Sequence, residues 1–336
     1  MRLLPVAFAA MACALAALTE PSAAAEHIKI GVVRSNGGVP TIIGKEKGFF
    51  AAQGLDPELV FFDSAQPIAV AVASGDIDFG STGITAAFFN LASQGALKII
   101  AGGTWDRKGF QSVGMIVSNQ AYAAGLHTFK DLGGHSVAIT QMGSPLEFFV
   151  YEMADKFHFD PTTIKFSPLQ SNGVIASAVA GNQVDAAVQT AAPSFALINK
   201  GEAKLLGWFS DELDMRQGEA VFTSTRLAND KPQIVRSFLA GLRASMAYWD
   251  AAFIDANGNR RDGPDAAEAI GYIAKDLGQP ESVIREGIPY FDPQARISFA
   301  DMTKPLNWYK AHNMVKPSVD LRAMVDLRYA IEVSDK

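Results

Sequence analysis

Apolar and polar positions alternate along this chain in short blocks that predict strands and helices in turn. Residues 27–33 alternate and then run apolar, which is typical of a buried strand, and residues 40–52 follow at helical spacing, with Gly54 placed to end the helix. The same pattern predicts further strands at 58–62, 77–80 and 97–101 and further helices at 68–73 and 84–93. Such alternation predicts an α/β fold whose largely parallel sheet is covered by helices.

The alternation is repeated in the middle of the chain. Strands are predicted at 136–139, 163–166 and 184–188, with helices at 145–157 and 174–180 between them. Residues 71–80 also match residues 177–186, because each segment has a helix end, a glycine, a polar turn and an aspartate in the next short strand. We therefore predict two similar α/β lobes, although short α/β units also resemble one another by necessity.

Two segments, 104–117 and 207–223, mix extended apolar residues with polar ones, and we predict that they cross between the lobes as hinges. Lobe 1 then comprises residues 26–110 together with 218–336, and lobe 2 comprises residues 111–217. At this length two domains, each with its own core, are expected.

The C-terminal third belongs to lobe 1 in this division, and its pattern is helical. The apolar period predicts helices at 231–252, 265–277 and 299–312, and an exposed polar loop at 255–264. Pro264 and Pro305 are expected near the starts of the last two helices, where proline is tolerated.

The first 25 residues have the three-part layout of a secretory signal peptide. Arg2 precedes an apolar run from Leu3 to Leu18, and small residues lead to an Ala-x-Ala sequence that ends at Ala25. The run of about 16 residues is shorter than the roughly 20 that span a bilayer. We predict cleavage before Glu26 and export of the mature chain; an uncleaved anchor is the alternative.

Composition argues against several classes of function. The single cysteine, Cys13, lies in the predicted signal peptide, so the mature chain would have no thiol chemistry, no disulfide and no cysteine-based metal site. The net charge of −6 argues against a nucleic acid partner. The five histidines lack metal-binding spacing, and no phosphate-binding loop or nucleophile-elbow motif is present. We expect no cofactor and no metal.

The candidate ligand site lies at the predicted strand-to-helix turns, because ligands of parallel α/β sheets bind at the carboxyl ends of the strands. These turns consist of small or hydroxylated residues, and free backbone N–H groups at a helix start bind anions. Ordinary helix capping is the alternative role, and it is compatible with ligand binding by the same backbone. The predicted ligand-binding residues of these turns are Ser35, Asn36, Gly37, Gln66, Thr82, Gly83, Thr140, Gln141, Gly143, Ser144, Asn172, Gln189 and Thr190.

Aromatic residues near the predicted crossings could line the site. Trp105 and Trp208 follow strands in corresponding places of the two lobes, and an aromatic face suits an organic ligand. Packing in the hinge or core is the alternative. Arg34 and Arg107 are the guanidinium groups near the predicted mouth, and either could hold a sulfonate or carboxylate. Glu147 would repel an anion unless its carboxylate points away. Together these residues predict a small organic anion as ligand.

Five phrases recur in order through residues 28–186: IKIGV at 28–32, GKEKGFFAAQGL at 44–55, ASGDIDFG at 73–80, LGGHSVA at 132–138 and GNQVDA at 181–186. In them the chain resembles the periplasmic solute-binding proteins of ABC importers, in the branch that handles taurine, aliphatic sulfonates, nitrate and related compounds. The thiamine-pyrimidine synthases are related to this branch.

This resemblance implies a two-lobed clamshell of the type II periplasmic binding protein kind, with two hinge crossings and a ligand in the cleft. It also implies a monomer that closes on its ligand and delivers it to the permease of an ABC transporter. A receptor for another transporter or for a sensor is the alternative. An enzyme is disfavoured, because the related synthases depend on a cysteine-rich motif that the mature chain lacks.

Overall fold

A computed structural model describes residues 24–333, and its strands form three sheets. Apart from Ala24 and Ala25, the predicted signal peptide lies outside the described residues. The strands are β1 (Glu26–Val33), β2 (Leu55–Phe62), β3 (Phe79–Gly83), β4 (Leu97–Gly102), β5 (Thr104–Asp106), β6 (Val113–Ser118), β7 (Ser136–Ile139), β8 (Lys165–Pro168), β9 (Ala186–Thr190), β10 (Ala203–Trp208), β11 (Arg216–Gln217), β12 (Glu219–Ser224) and β13 (Tyr290–Phe291).

Helices connect most of these strands and form most of the C-terminal third. They are α1 (Val39–Glu46), α2 (Ala65–Ser74), α3 (Ala86–Ser93), α4 (Asn119–Ala123), α5 (Pro145–Phe157), α6 (Asn172–Ala180), α7 (Ala191–Asn199), α8 (Phe209–Glu212), α9 (Thr225–Asp230), α10 (Pro232–Phe253), α11 (Ala266–Leu277), α12 (Glu281–Glu286), α13 (Phe299–Ala311) and α14 (Leu321–Met324). Short 3-10 turns occur at Asn36–Gly38, Ala51–Gln53, Phe129–Leu132 and Pro161–Thr163. Within residues 24–333, no helix is both long and apolar enough to cross a membrane.

The two large sheets have the same topology. One has the strand order β2-β1-β3-β12-β4 and the other has β8-β7-β9-β6-β10. In each sheet four strands run in one direction, and one strand, β12 or β6, is inserted antiparallel to its two neighbours. The predicted pair of similar α/β lobes is confirmed.

A third, short sheet lies where the chain passes between the lobes. Its order is β11-β5-β13, and β5 pairs antiparallel with β11 through Asp106 with Arg216 and Trp105 with Gln217. The two predicted crossings therefore run side by side as one ribbon. We propose that the boundaries between lobe 1 and lobe 2 lie near residues 110 and 218, because both positions are close to this ribbon.

Apolar clusters cover both faces of each large sheet. The long helix α10 packs one face of the lobe 1 sheet, where the Phe238 ring stacks between Phe50 and Phe79 at centroid distances of 5.4 and 3.8 Å. Its Trp249 ring donates the indole N–H to the carbonyl of Pro289 over 2.9 Å. These contacts use the residues whose helical spacing predicted the element, so burial of one face accounts for α10.

Several predicted boundaries are wrong. The helix expected over 40–52 ends at Glu46, because Gly48 adopts a φ of +72°, and a 3-10 turn follows before Gly54 at φ +75°. Pro305 lies inside α13 and not near its start.

The turns expected after β3 and β9 are also displaced. Ser81, Thr82 and Gly83 belong to β3, and Gln189 and Thr190 belong to β9. The antiparallel partners β12 and β6 pair with these residues, as far as Gly83 and Thr190, and thereby extend both strands.

The lobes touch across the cleft. The backbone N–H of Ala86 in lobe 1 donates to the carbonyl of Gly143 in lobe 2 over 2.9 Å. Trp308 of α13 packs against two rings of α5, Phe148 and Tyr151, at centroid distances of 5.7 and 4.8 Å. The described arrangement is therefore a closed one.

Candidate ligand-binding site

A cavity between the two lobes is lined by residues of both large sheets and of both hinge crossings. Its volume is about 80 Å³, within about 640 Å³ of space that the surrounding atoms leave unfilled. The wall combines hydroxyl groups with apolar side chains that include Val33, Val113, Leu146 and Phe149. A mixed wall of this kind suits a small organic molecule.

About half of the predicted ligand-binding residues line this cavity. They come from the carboxyl ends of strands and the starts of the following helices in both lobes, where the doubly wound topology places ligands. The predicted residues on the cavity wall are Ser35, Thr82, Gly83, Thr140, Ser144, Asn172 and Thr190.

Three predicted residues lie beside the cavity and join the lobes instead. The side-chain amide of Gln141 donates to that of Gln66 over 2.9 Å, which links lobe 2 to lobe 1. Gly143 accepts the bond from Ala86, and its own N–H donates to the carboxylate of Glu147 over 2.6 Å. These residues contribute to closure.

Two others, Gln189 and Gly37, contact residues of the wall. Gln189 is fully buried, and its amide donates to the carbonyl of Asn172 over 2.9 Å. Asn36 and Gly37 form the 3-10 turn after Ser35. Gly37 lies against the carboxylate of Glu219, since a Cβ added there would fall 2.4 Å from its Oε1.

The two predicted tryptophans do not line the cavity. Trp105 lies on β5 between Thr104 and Asp106, both of which do, and strand alternation turns its ring to the opposite side. Trp208 packs on Phe195 at 4.9 Å and over Gly114. Both rings therefore have the packing role that was the alternative in the sequence.

The hinge contributes residues that the sequence did not single out. Thr104 and Asp106 of β5 and Glu219 of β12 line the cavity, and the hydroxyl of Thr104 donates to Glu219 over 2.7 Å. A signal was available, because Asp106, Arg216 and Glu219 are charged residues within the two segments predicted to cross between the lobes. Buried charges of this kind usually have a specific partner.

Asp106 has such a partner. The guanidinium of Arg216 donates to its carboxylate over 3.3 Å, contacts Glu152 of lobe 2, and lies 4.4 Å from the centre of the Phe149 ring. Burial raises the pKa of Asp106 and of Glu152, and Arg216 opposes both shifts. One arginine therefore ties the hinge to helix α5.

Glu219 has no comparable partner. Within residues 24–333 no lysine, arginine or histidine forms an ion pair with it. Burial raises the pKa of Glu219 to about 7, and the negative charge of Asp106 adds to this effect, while the hydrogen bond from Thr104 opposes it. The carboxylate is thus poised between its charged and neutral forms near neutral pH.

Helix N-termini on the cavity wall provide positive partial charge, in contrast to the two carboxylates. The cavity wall includes the N-terminal ends of α2, α5, α6 and α7. The Ser144 hydroxyl caps α5 by accepting the N–H of Glu147, whereas the caps of α2 and α7 make no such side-chain bond. The carboxylate of Glu147 is turned to the N–H of Gly143 and is absent from the cavity wall. Helix starts favour negative ligand groups.

The charged side chains on the described wall of this cavity are two carboxylates, Asp106 and Glu219. Arg34 lines a neighbouring cavity, and Arg107 instead donates to the carbonyl of Gly258 over 2.6 Å. Two buried wall atoms, Oδ1 of Asn172 and Oγ1 of Thr190, have no hydrogen-bond partner in the described part of the chain. Residues 24–333 contain no group of three or more histidine, cysteine or acidic side chains that could hold a metal ion.

The two-lobed α/β fold is the periplasmic binding protein fold. The model of the family described as NMT1/THI5 like matches residues 37–252, and the chain belongs to that family. No curated protein sequence matches the chain.

Solved structures share this fold. The alkanesulfonate-binding protein SsuA from Xanthomonas axonopodis pv. citri, bound to MOPS, superposes with a TM-score of 0.72 at 19% identity, covering 89% of this chain and 98% of that one. The ligand-binding component of an ABC-type import system from Staphylococcus aureus, with zinc bound, gives 0.72 at 14%, covering 90% and 96%. The periplasmic nitrate-binding protein NrtA from Synechocystis PCC 6803 gives 0.69 at 16%, covering 88% and 84%.

Proposed function

We propose that this protein is the periplasmic receptor of an ABC importer and that it binds a small organic anion between its lobes without chemical conversion. The observation that carries this proposal is a cavity lined by both lobes and by both hinge crossings. A ligand in such a cavity contacts both halves of the closed form and only one half of an open form. It therefore favours closure.

The anionic character follows from the helix starts on the wall. Four of them contribute to the cavity, and three belong to lobe 2. Backbone N–H groups at a helix start bind an anion without a cationic side chain, which fits a wall on which no lysine or arginine was found among the described residues. Similarity to sulfonate- and nitrate-binding proteins supports this choice.

The organic character follows from the apolar part of the wall. Leu146 and Phe149 of α5 face the cavity together with Val33 and Val113 of the two sheets. Burial of apolar ligand surface against them would contribute about 25 cal/mol per Å². A bare inorganic anion such as nitrate would not use this surface.

The partner and the location complete the proposal. The predicted signal peptide would export the chain to the periplasm, where a monomer in the closed state would dock on the transmembrane permease. The ligand must bind the closed form more tightly than the open form, since changing an open-to-closed ratio of 99:1 into 1:99 takes roughly 5.5 kcal/mol of differential binding.

The test is a thermal-shift screen of residues 26–336 against sulfonates, carboxylates, nitrate and nucleobases. A ligand that binds only the folded state stabilises it by about 2.7 kcal/mol at a hundredfold excess over Kd. We expect organic anions to raise the melting temperature and to be recovered unchanged. Consumption of a hit compound, or shifts with nucleobases alone, would contradict the proposal.

A matched pair of variants tests whether this cavity is the ligand-binding site. Asn172→Ala removes a side chain from the cavity wall, and we expect it to weaken binding of the hit compound about tenfold, the value of one good hydrogen bond. Asn119→Ala removes an exposed amide that donates to the carbonyl of Gly201 and does not line the cavity, and it should leave affinity unchanged. Equal effects of the two substitutions would argue against this cavity as the site.

A further inference from the structure

The hinge end of the cavity carries an excess of negative charge. Asp106 and Glu152 share Arg216, whereas Glu219 is partnered by the hydroxyl and backbone of Thr104 and, among the described residues, by no cationic side chain. These four ionisable groups thus leave the hinge acidic. A simple anion placed against them would be repelled.

The position of Glu219 at the wall is fixed from two sides. Thr104 on the neighbouring crossing donates to Oε2, and the backbone of Gly37 lies directly against the carboxyl group. The side chain lines the interlobe cavity and also a second cavity, and Phe149 lines both of them. Because both contacts come from the protein, the carboxylate presents itself to a ligand without first having to be ordered.

One buried acceptor on the cavity wall has no hydrogen-bond donor among the described residues. The buried Oδ1 of Asn172 has no partner within the described residues, and it lies on the same cavity wall as Glu219. An unpaired buried acceptor is costly, so a ligand that donates hydrogen bonds gains where one that only accepts does not. Two independent features of the wall thus call for N–H groups on the ligand.

We propose that the ligand is a small zwitterion, whose amino group is received by Glu219 at the hinge while its sulfonate or carboxylate meets the helix starts. This inference rests on the proposed function and narrows its ligand class. It makes Glu219 a specificity residue, because the amino group separates an aminated anion from its unaminated analogue.

The experiment measures affinity by isothermal titration calorimetry with two matched ligand pairs, 2-aminoethanesulfonate against ethanesulfonate and β-alanine against propionate. The wild-type chain should bind the aminated member of at least one pair ten or more times more tightly. Glu219→Gln keeps the size of the side chain and removes its charge, and it should reduce that preference to less than twofold.

Glu147→Gln is the control, since Glu147 is also a buried glutamate near the cleft but lies off the cavity wall. It should retain the preference. Glu219→Asp, which keeps the charge on a shorter side chain, should retain part of it, and this variant decides the matter if Glu219→Gln fails to fold.

Unaminated ligands that bind the wild type as tightly as their aminated partners would overturn the zwitterion inference and leave the receptor function standing. Survival of the amino preference in Glu219→Gln would overturn the role of this residue. If the wild type binds none of the four compounds and no member of the wider anion panel, both the proposed function and the inference are overturned.

Discussion

At the residue scale, Glu219 connects ligand recognition to the hinge. Its carboxylate lies on the cavity wall, and its strand β12 pairs with both β3 and β4 of lobe 1. The group that we expect to contact the ligand is thereby also part of the segment that links the lobes. A change in its charge should be felt both in binding and in stability.

Glu219 makes the free energy of unfolding depend on pH. Burial raises its pKa to about 7 in the folded chain from the ordinary value of 4.5, so the folded state retains a proton that the unfolded state releases between these values. Its contribution to stability is complete below about pH 4.5 and is lost as the pH rises through 7. We expect urea denaturation to show that Glu219→Gln gains stability relative to wild type from pH 5 to pH 7.5.

Glu268 makes the free energy of unfolding depend on pH in the opposite direction. Hydrogen bonds from Lys47, Tyr248 and Tyr272 lower its pKa to about 2, so its contribution is present above about pH 4.5 and is lost toward pH 2. Glu268→Gln should therefore lose stability relative to wild type at pH 5 and pH 7.5 alike, with no change of slope between them. A flat wild-type to Glu219→Gln difference over the same range would refute the assignment to Glu219.

The residues of the site were only partly predictable. The sequence could point to Ser144 and Asn172, which lie on the cavity wall, because hydroxyl and amide residues at the start of a helix are a local signal. Asp106 and Glu219 were missed because their role arises from the pairing of two crossings that are more than a hundred residues apart in the chain. Trp105 was expected to face the ligand, but it lies off the cavity wall; the side that a three-residue strand presents depends on register, which the sequence does not reveal.

At the scale of elements, too, features set by local sequence were predictable and features set by distant strand pairing were not. Helix α5 begins at Pro145 and ends at Phe157, as the sequence predicted, because a serine cap, a proline at the first position and an amphipathic face are all local. The ends of β3 and β9 were predicted several residues early, because strands from the distant crossings extend them. Order along the chain was predictable where the signals were local.

Variants at the start of α5 can distinguish the capping role of Ser144 from a role in ligand binding. Ser144→Ala removes the hydroxyl that accepts the N–H of Glu147, and Ser298→Ala removes the equivalent cap of α13, which accepts the N–H of Asp301. Both should lower the free energy of unfolding by about 1 kcal/mol in urea titrations.

Ser144 lines the cavity and Ser298 does not. Only Ser144→Ala is therefore expected to reduce ligand affinity in calorimetry, by about threefold or more, in line with the loss of about 1 kcal/mol for a hydrogen bond. Equal affinities in the two variants would show that the α5 start is merely capped and takes no part in binding.

At the scale of the whole molecule, closure depends on contacts outside the cavity as well as on the ligand. Trp308 of α13 packs on Phe148 and Tyr151 of the other lobe and does not line the interlobe cavity. Trp308→Ala should thus favour the open form, and ligand affinity should fall about twofold to tenfold, since aromatic pairs contribute about 0.5–1.5 kcal/mol.

Small-angle X-ray scattering provides the readout of this change. Without ligand, Trp308→Ala should have a larger radius of gyration than wild type, and saturating ligand should bring the two values together. Tyr122→Ala is the control, because the Tyr122 ring contacts His127 within lobe 2 and bridges nothing. An unchanged radius in Trp308→Ala would mean that these rings do not hold the lobes together.

The inserted strand β12 has a consequence for the order in which the two lobes fold. It lies between β3 and β4, yet the whole of lobe 2 precedes it in the sequence, while the strands of lobe 2 follow one another without interruption. Pairings between strands distant in the sequence form slowly. We therefore expect lobe 2 to fold while the first lobe still lacks a central strand, so that the lobe that begins the chain is completed last.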